Sequence, residues 1–228
     1  MEQSELRELM GLFFKPHPWH GVNPGPEAPA TVTAFIEQVP TDTVKYEIDK
    51  PSGYLKLDRP QKFSSLCPSL YGFIPRTYCG ARIGEYCSQQ SGREGIKGDG
   101  DPIDICVLSE RSISHGDLLV TATPIGGIRM IDSNESDDKI IAVMHGDAVF
   151  GEVTDVTGLP EGLLDRLVHY FLSYKDLPSP TKVRKVDIDA VYGRAEALKV
   201  IGLSMEDYVE HFRDPHARME TLLRQLAR

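Results

Sequence analysis

The run Gly98-Asp99-Gly100-Asp101-Pro102-Ile103-Asp104 packs three carboxylates into six residues. Like charges this close repel and raise one another's pKa unless something positive sits among them. A hard divalent cation such as Mg²⁺, held by oxygen ligands, is the usual remedy. The following residues, Ile105 to Leu108, read as a short buried strand, so the acidic knot stands at a strand start. In an extended chain Asp99 and Asp101 share a face while Asp104 points away. Pro102 cannot continue a central ladder and predicts a bend that brings the third carboxylate round to the other two. An EF-hand counted from Asp99 puts Ile103 where a ligand belongs and Asp104 where a glycine belongs. An aspartyl-phosphate phosphatase carries an apolar strand before its Asp-x-Asp, whereas Gly95-Ile96-Lys97-Gly98 precedes this one. A solvated acidic turn is the bland alternative. The added Pro-Ile-Asp and the apolar strand behind it favour a metal-binding loop.

Other charged residues fall at strand ends. Lys45, Glu47 and Asp49 share one face of an alternating strand, 44–49. A second acidic turn, Asp132-Ser133-Asn134-Glu135-Ser136-Asp137-Asp138-Lys139, precedes the apolar run 140–143. Arg59 ends a strand just before Pro60. Tyr174 and Lys175 lie three and four residues past Phe171, continuing the apolar face of a late helix, where a lysine either snorkels to water or reaches an anion. Singly each suits a wet surface. Together they mix carboxylates for metals with Lys and Arg for phosphate oxygens, the composition that a metal-complexed polyphosphate requires.

The elements that position these groups follow from periodicity. Residues 1–30 read as an arm: an amphipathic start through Phe14, then a Pro/Gly/His-rich stretch. From Thr31 short strands succeed one another at 34–36, 44–49, 54–59, 104–108, 118–124, 127–131 and 139–144, the second and third forming a hairpin about Pro51-Ser52-Gly53. Residues 76–98 read as a long inserted loop. Leu164, Leu167, Val168 and Phe171 follow the i, i+3, i+4, i+7 rule after Pro160, and helices are expected near 193–201, 204–212 and after Asp214-Pro215. Many short strands in series predict an α+β fold with a small barrel and C-terminal helices.

Whole-chain properties narrow the function. The 228 residues suit one domain with an arm, 31–228 after 1–30. A formal net charge of −9 argues against nucleic acid as partner. No apolar stretch approaches a membrane span, and Met1 to Glu5 lacks the basic start of a secretory signal. Cys67, Cys79, Cys87 and Cys106 form no Cys-x-x-Cys pair, which predicts reduced thiols and a cytoplasmic protein.

These residues, in this order, resemble the family I soluble inorganic pyrophosphatases. The resemblance runs from about Lys45 to Lys175 through Lys45-Tyr-Glu47, Arg59, Tyr71-Gly72, Asp99-Gly-Asp101-Pro-Ile-Asp104, Asp132 to Lys139 and Tyr174-Lys175. It implies a five-stranded barrel of the OB type flanked by helices. It also implies Mg²⁺-dependent hydrolysis of inorganic pyrophosphate by in-line attack of a metal-bound hydroxide. Asp99, Asp104 and Asp137 are then the main metal ligands, with Asp132 and Glu47 as further metal-site carboxylates. Lys45, Arg59, Tyr71, Lys139, Tyr174 and Lys175 bind phosphate, Arg59 and Tyr71 also taking part in catalysis, and Asp101 is the general base. Several Mg²⁺ ions per site, replaceable by Mn²⁺ or Zn²⁺, and a homo-oligomer are further implications.

The chain departs from the pattern at Cys67, where family members often carry tyrosine. Either Glu37 or Gln38 matches an upstream family glutamate. The arm and the 76–98 insertion look similar to the longer chlamydial-type enzymes. Another metal-dependent phosphohydrolase and a non-catalytic phosphate- or metal-binding module are the alternatives. Asp101 beside three ligand aspartates favours the enzyme, because a binding module has no use for a base.

Overall fold

A computed structural model describes residues 15–175 and 185–213. Five strands pair into a closed ring: β1 (Val32–Gln38), β4 (Leu70–Phe73), β6 (Asp104–Leu108), β9 (Lys139–Met144) and β7 (Leu118–Asp132), which returns to β1. Within the ring only β6 and β9 run parallel, with Asp104 opposite Lys139; the other ring pairs are antiparallel. β10 (Val186–Gly193) pairs with the far half of β7, and the short β5 (Lys97–Gly98) and β8 (Glu135–Ser136) extend the sheet beyond it. The predicted hairpin forms as a separate sheet of β2 (Val44–Ile48) and β3 (Leu55–Pro60). Three α-helices, α1 (Ala81–Ser91), α2 (Glu161–Ser173) and α3 (Arg194–Phe212), and one 3-10 turn, Val156–Gly158, complete the described chain.

The strands β6 and β9 read as continuous apolar runs because both their faces are covered. Ile105, Val107, Ile140 and Ala142 join one core cluster with Ala197, Val200 and Ile201 of α3. The alternate residues Cys106, Leu108, Ile141 and Val143 join a second with Leu167 and Phe171 of α2. Period two therefore splits each strand between two helices. On α2 the expected stripe is buried at Leu167 and Phe171 and half-buried at Leu164 and Val168, Tyr170 is buried beside it, and Tyr174 continues the face.

Several boundaries differ from expectation. The strands expected at 118–124 and 127–131 are one strand, β7, whose irregularity falls between Pro124 and Gly126 in its pairing with β9. A bulge bends a strand without ending it. The helices expected at 193–201 and 204–212 are the single α3, since Gly202 only lowers local propensity. Residues 76–98 are not an uninterrupted loop but carry α1. β4 and β10 were not expected: the first is four residues long, and the second opens with Val-Asp-Ile-Asp, too polar to stand out.

The arm's first 14 residues and the helix expected after Asp214-Pro215 lie outside the described residues. Of the remainder, Trp19 is 3% exposed, its Nε1–H donates to the Thr77 carbonyl at 2.8 Å, and Phe212 meets its ring edge-on. This part of the arm is therefore packed onto the domain. All four cysteines are free and buried.

Candidate active site

The sequence motifs converge on one cavity of about 260 Å³ where β6 and β9 begin. Asp99, Asp101, Asp104, Asp132, Asp137 and Glu47 line it with Lys45, Lys139, Lys175, Tyr71 and Tyr174. Ile48, Phe73 and Pro102 supply the apolar wall. Arg59 is the one expected site residue that does not line the cavity. It stands on β3 with its Cζ 5.9 Å from the centre of the Tyr174 ring, and its Nη1 is buried with no hydrogen-bond partner among the described residues. Asp49 also stays out, closing the hairpin turn by accepting from the Ser52 hydroxyl at 2.6 Å.

Local hydrogen bonds explain why three neighbouring carboxylates face one space. Gly100 takes a φ of +78°, open to glycine at little cost, and the Asp101 N–H donates to Asp99 Oδ1 at 2.9 Å. The Cys79 N–H holds the Asp101 carbonyl at 2.8 Å, and the Ile103 N–H donates to Thr77 Oγ1 at 2.9 Å. The chain thus bends before β6, as Pro102 predicts, and Asp104 enters the ladder opposite Phe73 and Lys139. Tyr71, two residues back along β4 from Phe73, donates its hydroxyl to Asp104 Oδ2 at 2.5 Å.

Lysines hold the carboxylates in place. Lys139 bridges Asp104 and Asp137, Lys175 engages Asp132, Lys45 engages Glu47, and Lys50 engages Asp101. Burial presses the Lys139 ammonium toward neutrality, but Asp104 and Asp137 outweigh it and its pKa ends well above the usual value. Burial likewise raises Asp132, yet hydrogen bonds from Lys175 and Ser133 bring it below the usual carboxylate range. Asp99 has no such partner: burial first, then the charge of Asp137, push it up to about 8. Burial, with Asp104 adding to it, keeps the Tyr71 phenol protonated.

Lys50, Glu135 and Glu37 also line the cavity. Neither Lys50 nor Glu135 stands out in sequence, the first in a hairpin turn and the second in a loop-like acidic run. Of Glu37 and Gln38 it is Glu37 that lines the cavity, its Oε1 accepting from the Ile48 N–H at 2.7 Å. Gln38 is buried without lining the cavity. Burial pushes Glu37 up to about 8. Cys67 is buried beside Ser69 and takes no place in the wall, and burial lifts its thiol to about 11.

Eight carboxyl groups and four ammonium groups line this space, leaving a formal excess of four negative charges. All the anionic donors are oxygens, the set that hard divalent cations prefer. Among the described residues no three such side chains stand close enough to share an ion as they are, with Lys139 bridging two of them. The charge excess and the proton forced onto Asp99 nonetheless fit cations as the missing counter-charge.

Known proteins similar to this chain are pyrophosphatases. The family profile described as "Inorganic pyrophosphatase" matches residues 34–209. An inorganic pyrophosphatase of Chlamydia trachomatis is 52% identical over 199 residues, covering 86% of this chain and 95% of the relative. A soluble inorganic pyrophosphatase of Solanum tuberosum is 36% identical, covering 86% of this chain and 82% of its own. The crystal structure of inorganic pyrophosphatase from Thermus thermophilus superimposes with a TM-score of 0.68 at 29% identity, over 84% of this chain and 98% of that one. The chain belongs to the family I soluble inorganic pyrophosphatases.

Proposed function

We propose that the protein hydrolyses inorganic pyrophosphate to two phosphates in a Mg²⁺-dependent reaction, by in-line attack of water. As a member of its family it is an enzyme, an inorganic diphosphatase. The observation that carries the mechanism is the shared cavity, in which carboxylates suited to cations stand against ammonium and phenol groups suited to phosphate. Asp99, Asp104 and Asp137 would hold the metal, with Asp132 and Glu47 as further oxygen donors. Bound Mg²⁺, or Mn²⁺ or Zn²⁺ in its place, supplies charge neutralisation and a lowered pKa for water.

The chain's own residues do the rest. Asp101 takes the proton of the attacking water; its ionic partner is Lys50 at the cavity edge, whereas Asp104 and Asp137 are both engaged by Lys139. Lys45, Lys139, Lys175, Tyr71 and Tyr174 bind phosphate oxygens, and Lys139 exchanges a carboxylate contact for a phosphate one as substrate enters. Arg59 contributes its unpartnered Nη1 from behind Tyr174. Positioning and electrostatics carry the rate, since phosphoryl transfer asks little covalent chemistry of a protein. A highly charged cavity of about 260 Å³, with only Ile48, Phe73 and Pro102 as apolar wall, suits pyrophosphate better than the sugar and base of a nucleotide.

The ring order β1-β4-β6-β9-β7 with its single parallel pair supports the OB-type barrel, and residues 31–228 are taken as one catalytic domain. Four free cysteines support a cytoplasmic location. No helix among the described residues is long and apolar enough to cross a membrane. A homo-oligomer is the expected assembly.

The deciding experiment is phosphate release from pyrophosphate with and without millimolar Mg²⁺, beside a phosphate monoester. Rapid release only with metal and only from pyrophosphate is expected. No release with Mg²⁺, Mn²⁺ or Zn²⁺, or preference for the monoester, would refute the reading.

A further inference from the structure

Asp138 stands between two site residues and does not face the site. Asp137 and Lys139 line the cavity. Alternation at the start of β9 turns the side chain between them to the other side. There Asp138 is 4% exposed, too buried for water to solvate its carboxylate. Tyr192 Oη–H donates to its Oδ2 at 2.9 Å, and Ser136 Oγ–H donates to Oδ1 at 3.4 Å. The Arg129 guanidinium, paired with Asp189 and Glu196, lies 5.6 Å from the centre of the Tyr192 ring.

Tyr192 reaches Asp138 across an intervening strand. It sits on β10 opposite Gly127 of β7, and Gly127 in turn sits opposite Ile140 of β9. The ring lies directly over Gly127: a Cβ there would stand 2.4 Å from ring Cε2 and 2.5 Å from Oη. Glycine at 127 therefore leaves the passage by which the phenol spans β7 and meets the first residues of β9. Asp137 and Asp138 are the two residues between ladders: β8 pairs with β7 as far as Ser136, β9 pairs with β6 and β7 from Lys139, and the Asp137 N–H donates to the Met130 carbonyl at 2.9 Å.

We propose that the Tyr192–Asp138 hydrogen bond positions Asp137 and Lys139, by pinning the start of β9 against β10. This rests on the reading of Asp137 as a metal ligand and Lys139 as a phosphate-binding residue. Adjacent Cα atoms are about 3.8 Å apart across a trans peptide, so a shift at Asp138 carries both neighbours with it. A buried carboxylate that loses its donor is costly, which holds the pair closed. Tyr192 and Asp138 are positioning residues here, because neither touches the reacting atoms.

Tyr192→Phe removes only the hydroxyl and keeps the ring over Gly127. Mg²⁺ binding to the protein without pyrophosphate, followed by calorimetry, is expected to weaken ~3–10-fold, less than the ~10–100-fold typical of a partner bonded directly to a ligand. The kcat for pyrophosphate should fall alongside. Asp138→Asn keeps a carbonyl acceptor for Tyr192 and should stay within ~2-fold of the native protein in both measurements. Val200→Ala, in the core on α3, reports what destabilisation alone does.

A purely structural role would lower the Tm of Tyr192→Phe while leaving Mg²⁺ affinity and kcat native, and that result overturns the proposal. So does an Asp138→Asn protein as impaired as Tyr192→Phe. If the native protein releases no phosphate from pyrophosphate, the functional reading fails, yet the calorimetric comparison still decides this one.

Discussion

Asp101 is the carboxylate whose loss should separate chemistry from metal binding. Lys50 is its one ionic partner among the described residues, so Asp101→Asn leaves Asp99, Asp104 and Asp137 untouched. The substitution should cut kcat by ~10²–10⁴, the usual range for loss of a general base, while calorimetric Mg²⁺ affinity stays near native. Asp104→Asn should weaken both. An Asp101→Asn enzyme with near-normal turnover would move the base elsewhere. Glu37 gives a second test, on stability. Burial lets it keep a proton to about pH 8 when folded, against 4.5 for the free group. Between those values the folded state binds more protons than the unfolded one, so stability falls as pH rises through this window. One such group contributes at most about 1.4 kcal/mol per pH unit. Glu37→Gln retains an acceptor for the Ile48 N–H and should flatten that fall, measured by urea unfolding in EDTA at pH 5.5 and 8.

At the scale of elements, α1 shows how a helix can escape sequence reading. Its N-cap is Gly80, with no side-chain cap and no acid in its first turn. The cap comes instead from Asp207 on α3, whose carboxylate accepts from the N–H groups of Gly80, Arg82 and Ile83 at 3.0 to 3.2 Å. Asp207 is 3% exposed and also pairs with Arg82. Asp207→Ala should cost ~2–4 kcal/mol in urea unfolding, above the ~1 kcal/mol of an ordinary N-cap, because three donors lose one shared acceptor. Activity should fall as well, since Cys79, just before Gly80, holds the Asp101 carbonyl. A loss below ~0.5 kcal/mol, the range of a neutral surface change, would mean water replaces the cap.

For the whole molecule the decisive quantity is the charge gathered in one place. A net charge of −9 over the chain is modest, but an excess of four carboxyl groups in one cavity is not. Mg²⁺ should therefore stabilise the folded protein, by ~2.7 kcal/mol at a hundredfold excess over its Kd. Thermal melts with Mg²⁺ and with EDTA should differ most near pH 8. The difference should shrink toward pH 5.5, because metal binding must displace the proton that Asp99 holds up to about 8. Equal melts with and without metal at pH 8 would remove the cation from this site.

Much of this was legible in the residue order. The Asp99–Asp104 run, the hairpin about Gly53, the strands of β6 and β9, and the stripe that carries Tyr174 and Lys175 each follow from local spacing, because their signals lie within a few residues. So does the pairing of acidic with basic groups that points to a metal-bound phosphate. What only the tertiary structure decided depends on partners far apart in the chain. Glu37 rather than Gln38 faces the cavity because of its side in β1, and Lys50 joins because the hairpin folds over Asp101. Arg59 stands behind Tyr174, α1 is capped from α3, and Tyr192 crosses β7 to hold Asp138. Periodicity reports which face of an element is buried; which neighbour covers that face is set by closure of the ring.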